Sequence, residues 1–321
     1  MNRKMRNYRL MAEDFYLEGK VDRALSFYKK ALKFSRTKDD NSLLLFNIGV
    51  ILTEKGRVED AMKYYKKIID INPGYHDAYY QIGVIQEDRG EFDEAISNYK
   101  TALKLDSNDT MSMYNLANLY DIQGEGETAR KLYKRILHLE PGHPYTLNNL
   151  GAMLEADGRY REAYMLIKRS LNAKNDFFMS HFNMGVVLKA LGESDKALEH
   201  YDIAIRLNPK YHYSYLNMSA IFIEKDRYNE AIEILTKGIE SNPKAHDLYY
   251  NRACSRAMLG DSKMAIDDIE ISLGMHPPLL KWVIWDKDFD AIRHTERFKE
   301  LIEMYNKTKG KEEADDNSQN Q

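Results

Sequence analysis

Seven amide side chains stand 34 residues apart in one unbroken series: Asn47, Gln81, Asn115, Asn149, Asn183, Asn217 and Asn251. An amide carries an acceptor and donors together, so it can meet the N–H and the C=O of a peptide bond at once. A row of such groups is chemistry for holding a polypeptide backbone whatever side chains that backbone carries. Other chemistry is thinly represented. The chain has no Gly-rich phosphate loop, no His-Glu-x-x-His pair and no Gly-x-Ser-x-Gly elbow, so no catalytic residue and no cofactor are expected. The single cysteine, Cys254, cannot form an intramolecular disulfide or a cysteine-based zinc site, and such usage suits a reducing compartment. No metal site is expected.

Bulk properties narrow the partner class. A formal net charge of -3 argues against a general electrostatic grip on nucleic acid. The charge is uneven: residues 1–41 carry 11 basic and 6 acidic side chains, a local +5. Residues 311–321 set Lys311 against Glu312, Glu313, Asp315 and Asp316. The first ten residues lack the apolar run of a secretory signal. No apolar stretch approaches the ~20 residues needed to span a bilayer. The expectation is a soluble cytoplasmic protein with no membrane insertion and a protein or peptide as partner. The sequence sets no oligomeric state.

The amides must be positioned by the elements that repeat with them. Numbering each 34-residue unit from Met5, Ser42, His76, Thr110, Pro144, Phe178, His212 and His246 gives eight units, with Asp39, Asp40 and Asn41 inserted after the first. Position 8 is always small (Ala12, Gly49, Gly83, Ala117, Gly151, Gly185, Ser219, Ala253) and position 20 is always Ala. Small residues permit close approach, so positions 8 and 20 read as the crossing point of an antiparallel helix pair. Position 15 is Gly in seven units and Asp226 in the other, which suits a left-handed residue after a helix. Position 32 is proline five times, from Pro73 to Pro277, and ends the second helix. Apolar residues at positions 7 and 24 complete one face of each helix. The amide falls at position 6, inside the first helix. Asparagine is a poor helix former that favours caps and turns, so its return there has no local cause. His76, His212 and His246 share position 1 and read as helix starts.

This pattern resembles the tetratricopeptide repeat, a 34-residue helix–turn–helix unit, over residues 5 to 279. The resemblance implies an all-α, right-handed α-solenoid. The chain then divides into a tail (1–4), eight repeats (5–38, 42–75, 76–109, 110–143, 144–177, 178–211, 212–245 and 246–279), a C-terminal cap (280–306) and a tail expected to be disordered (307–321). The capping segment resembles those that follow some bacterial arrays of this family. In it, Arg252 and Arg256 of the last repeat are expected to stack on Trp282 and Trp285 or to pair with Asp286, Asp288 and Asp290.

In this family the first helix of each unit lines a concave surface, which implies that positions 2, 5, 6, 9, 12 and 13 face a groove. The candidate peptide-binding residues are therefore the seven amides together with Tyr80, Tyr114, Asn148, Phe182 and Tyr250 at position 5 and Asn118 at position 9. The row resembles the asparagine ladder of the O-linked N-acetylglucosamine transferase repeats. The basic clamp of chaperone-binding members is missing after the first unit, where Arg6 and Arg9 stand. Glu54, Glu87, Asp88, Asp121, Glu155 and Glu224 at positions 12 and 13, against Lys189 alone, tint the groove acidic. The expected function is a non-catalytic interaction scaffold that holds an extended peptide. The alternatives are a regulator or sensor of a short signalling peptide, or an assembly factor docking folded partners on its convex face.

Overall fold

The computed structural model describes residues 2–306, and among these every regular element is a helix. The chain forms two compact units, Met1–Thr146 and Leu147–Gln321. In the first, α1 (Arg3–Leu17) pairs with α2 (Val21–Leu32), α3 (Lys38–Glu54) with α4 (Val58–Ile71), α5 (His76–Asp88) with α6 (Phe92–Leu105) and α7 (Thr110–Ile122) with α8 (Gly126–Leu139). The unit boundary falls inside α9 (Pro144–Ala156). The second unit continues with α10 (Tyr160–Ala173) and the pairs α11 (Phe178–Ala190) with α12 (Ser194–Leu207), α13 (Tyr213–Ile223) with α14 (Tyr228–Ser241), and α15 (His246–Met258) with α16 (Ser262–Met275). Within each unit the second helix of one pair packs on the first helix of the next. This is the α-solenoid that the period implies.

The turn between paired helices is set by one residue. The position 15 glycines all adopt positive φ, from Gly56 at 71° to Gly124 at 82°, and Asp226 is the single non-glycine there, at 54°. A Cβ on Gly192 would meet nothing within 4 Å, so its cost is conformational. Gly192→Ala should therefore lose about 1 kcal/mol of stability, read as a shift in denaturant midpoint at constant slope.

Packing across the pair refines the expected crossing point. The position 20 alanines are all fully buried, as expected. Yet position 8 owes its size mainly to position 24. A Cβ added to Gly49, Gly83 or Gly185 would lie 2.5–2.7 Å from the ring of Tyr65, Tyr99 or Tyr201, and one on Gly151 would lie 2.6 Å from Ile167. The bulky partner fills the space that the small one leaves, which keeps the seam at interior packing density.

The ends differ from expectation in detail. Helix α1 already begins at Arg3, inside the expected tail, with the Asn2 side chain accepting the Lys4 amide. Asp39, Asp40 and Asn41 add a turn to α3, which Thr37 caps by accepting the Asp40 amide at 3.1 Å. Two aspartates in that first turn also suit the positive end of the helix. At the other end, α17 (Leu280–Trp285), a helical run over 296–306 and the turns between them lay Leu280, Val283, Phe289, Ile292, Phe298 and Leu301 on the last pair. The expected disordered stretch 307–321 lies outside the described residues. No described helix is long and apolar enough to cross a membrane.

The two arginines of the last repeat do not go where the sequence suggests. Trp282 and Trp285 stay exposed, at 60% and 80%. Arg252 instead grips Asp268 with two hydrogen bonds, Nη2 to Oδ1 at 2.8 Å and Nε to Oδ2 at 2.9 Å, and Arg256 Nη1 reaches Oδ2 at 2.6 Å. Asp268 lies at position 23 of the same repeat, one helix away, and the planar guanidinium fork matches its carboxylate.

Candidate functional site

All seven amides are half-buried, at one register on successive first helices. The hydrogen bonds they make are not uniform. In the first unit Asn115 gives its amide N–H to the Tyr99 hydroxyl at 3.1 Å, and it also stands against the Tyr80 hydroxyl. The side chains of Asn47 and Gln81 form no hydrogen bond among the described residues. In the second unit Asn183 donates to Asn148 Oδ1 at 3.0 Å, and Asn148 in turn donates to Asn149 Oδ1 at 3.1 Å. Asn217 and Asn251 donate to carbonyls of their own helix, Tyr213 at 2.9 Å and Asp247 at 2.8 Å.

Two candidate residues sit in the protein interior or are tied to it. Asn148 is 2% exposed and cannot face a ligand. Its Oδ1 also accepts from Ser180 at 3.1 Å, and Ser180 meets Ser170 at 2.7 Å. A buried polar group must find partners, and this one finds them by joining the amides of adjacent repeats. Asn118 accepts the Tyr133 hydroxyl at 2.6 Å. That phenol is fully buried and needs a partner at its polar end. Tyr99 is handled the same way. It donates to Glu87 at 2.6 Å, and burial together with that carboxylate pushes its ionisation far above the usual phenol range, so it remains a neutral donor.

The aromatics of position 5 flank the row, but their rings largely serve the seams. Tyr80 packs on Tyr99 with centroids 6.0 Å apart, and Tyr114 packs on Tyr133 at 6.3 Å and on His143 at 5.5 Å. Phe182 packs on Tyr201 at 5.9 Å and meets Tyr211 edge-on at 5.0 Å. Tyr250 is taken by the cap, with its hydroxyl on Asp286 at 2.5 Å and its ring edge-on to Phe289. The open ring beside the row is Tyr213, 47% exposed, which position 2 of the seventh repeat supplies and the sequence reading passed over.

Acidic groups of positions 12 and 13 are partly engaged. Glu54 accepts from Tyr16, Glu87 from Tyr99, and Glu224 pairs with Lys189 at 2.6 Å. Among the described residues one group has metal-ligand character, Cys254 with Asp286 and Asp288. Burial pushes the thiol far up, so it stays protonated, and Asp286 already accepts from Tyr250. The arrangement reads as wiring between the cap and α15.

Comparison with known proteins points one way. The tetratricopeptide repeat family matches residues 43–75, 76–109, 179–211 and 212–244. Over 56 residues, 17% of this chain, the sequence is 39% identical to the photosystem I assembly protein Ycf3 of Rippkaea orientalis. Over 64 residues it is 33% identical to Ycf3 of Acaryochloris marina. The chain spans only 32% and 39% of the length of these relatives. A tetratricopeptide repeat protein from Parabacteroides merdae superposes on 83% of this chain and 98% of its own, with a TM-score of 0.58 at 19% identity. Cut9–Hcn1 of the APC/C covers 88% of this chain and 54% of its own, with a TM-score of 0.62 at 17% identity. PilF of Pseudomonas aeruginosa covers 68% and 96%, with a TM-score of 0.55 at 19% identity. At such identities the shared property is the fold.

Proposed function

The chain is a tetratricopeptide repeat protein, a class of protein–protein interaction scaffold, and from that premise we propose that it holds an extended peptide, without catalysis, along its first-helix faces. The observation that carries this reading is the half-buried amide row. Six asparagines, which are poor helix formers, and Gln81 recur at one register, and none is either sealed in the core or fully in solvent. Half-burial leaves each amide reachable while shielding its hydrogen bonds from competing water, which is the environment in which backbone recognition gains strength.

The test replaces Asn115, Asn149 and Asn183 together by Ala. Capture of the partner by the intact chain, followed by proteolytic mapping, should show a protected linear segment. The triple variant should lose that capture while its helical signal is retained. Capture that survives the triple change rules out the row as the binding element.

A second reading, an assembly factor that docks folded partners, is favoured by two observations. The matched relatives are assembly proteins, and Trp282 and Trp285 stand exposed on the cap. Protection of a folded domain in the same mapping experiment would select it.

A further inference from the structure

Resting on that reading of the groove, we infer that the amide row of the second unit is an acceptor row, built to take the N–H donors of a basic, extended segment. The polarity of each amide follows from what its nitrogen touches. Asn217 and Asn251 each face a backbone carbonyl, at 2.9 Å and 2.8 Å. A carbonyl only accepts, so the amide nitrogen must be the end turned inward. Asn183 turns its nitrogen to Asn148 Oδ1, an oxygen that Ser180 also approaches. The first unit repeats the logic at Asn115. Tyr99 gives its own proton to Glu87, so its oxygen is left to accept the Asn115 amide.

In all four residues the outward atom is therefore Oδ1. None of these oxygens has a partner among the described residues, and none is a buried orphan, so each is reachable from solvent. An amide whose N–H is already bonded also presents a more strongly polarised oxygen. Asn149 is set the other way, with its oxygen given to Asn148.

Neighbouring groups carry the same sign of chemistry. Asp247, at position 2 of α15, meets His212 at 3.1 Å, and Glu224, just past the end of α13 at position 13, ties up Lys189, the cation of that strip, so among the described residues no free basic side chain stands beside the row. Tyr213 offers a half-open ring 5.4 Å from Tyr211, a platform for a lysine or arginine stem. Acceptors alone cannot satisfy a carbonyl or a carboxylate, so acidic segments are disfavoured. A polyproline II conformation fits the spacing. It turns once per three residues and rises about 9 Å per turn, near the ~8–10 Å separation of packed helices, so successive rungs meet the same face.

The test selects a phage-displayed library of random 12-residue peptides (about four rungs' worth, at ~3 Å per residue) on the intact chain. Recovered binders should be rich in Lys and Arg and poor in Asp and Glu. Two triple variants are then compared on one such synthetic peptide, each first checked for an unchanged helical signal. Asn183→Leu, Asn217→Leu and Asn251→Leu together should weaken binding by about 10- to 100-fold, as expected for three lost hydrogen bonds. Asn183→Asp, Asn217→Asp and Asn251→Asp together lose the inward N–H bonds but keep the outward acceptors, and should bind the peptide more tightly than the Leu variant. If the Asp variant loses as much as the Leu variant, or the binders are acidic, the acceptor polarity is wrong and the groove stands. If the Leu variant binds unchanged, or no peptide is recovered, the groove reading falls as well.

Discussion

Replacing Asp268 by Ala should cost about 3–5 kcal/mol of folding stability, the largest effect expected of any single polar substitution in this chain. The carboxylate is 1% exposed and lies between two guanidinium groups whose side chains are themselves only 11% exposed. With the aspartate removed, two cations remain in a site that water barely enters. Their mutual repulsion then adds to the desolvation that the ion pairs had offset. Arg252 also reaches the Thr236 hydroxyl at 3.0 Å, so it ties α14 to the last pair. Loss of Asp268 should therefore loosen the C-terminal repeats first, and amide exchange should rise across α15 and α16 before it rises in the first unit. The control is the triple change Arg252→Met, Arg256→Leu and Asp268→Leu, which removes every charge at once. It should recover most of the loss, because an apolar replacement of a buried ionic cluster leaves no uncompensated charge. An Asp268→Ala protein within 1 kcal/mol of the parent in a denaturant titration would show that the arginines find water or other partners.

That pairing also shows what was legible in the sequence. Period, glycine and proline placed the helices correctly because each acts locally, through a fixed backbone conformation or a missing N–H. The small residue at position 8 was equally visible, although its close neighbour proved to be position 24. Side-chain partners were harder, since they depend on which helix lies opposite. Position 23 holds Phe27, Tyr64, Asn98, Leu132, Leu166, His200 and Ile234 elsewhere, mostly apolar and never acidic, so Asp268 is out of pattern. Arginines at positions 7 and 11 of the same repeat are out of pattern too, and reading the two exceptions together would have found the pair. For the candidate site, the amide register was plain, whereas the fate of Asn148 was not. Its neighbours at position 5 are mostly aromatic and half-buried, and it is drawn inside because Ser180 and Asn183 of the next repeat supply polar partners.

Acidification should weaken the second unit through a histidine pair, by about 2 kcal/mol between pH 6.5 and 4. His200 on α12 lies with its Nδ1 3.0 Å from Nδ1 of His181 on α11. His181 Nε2 is 2.9 Å from the Asn175 carbonyl, which can only accept, so the His181 proton sits on Nε2. Its Nδ1 must then accept from His200, and the pair is wired for two neutral rings. Burial first, and the neighbouring His181 second, push His200 down from 6.5 to about 4. The sign follows from where protons bind. Above 6.5 neither the folded nor the unfolded state protonates this ring, and its contribution is fully present. Between 6.5 and 4 the unfolded chain takes up a proton that the folded chain refuses, so stability falls with pH. Below 4 both states are protonated and the loss levels off. At full strength the displacement would correspond to about 3 kcal/mol, and the part of the ring that water reaches reduces this to about 2. His143, lowered by burial, adds a loss of the same sign in the first unit. Asp77 and Asp288, raised by burial, oppose it near the bottom of the range. The difference between the parent and His200→Gln isolates the pair. Glutamine can still donate to His181 but does not titrate, so its stability should fall less steeply than the parent's over this window. Parallel pH profiles for the two proteins would show that His200 takes its proton in the folded state as readily as in the unfolded one.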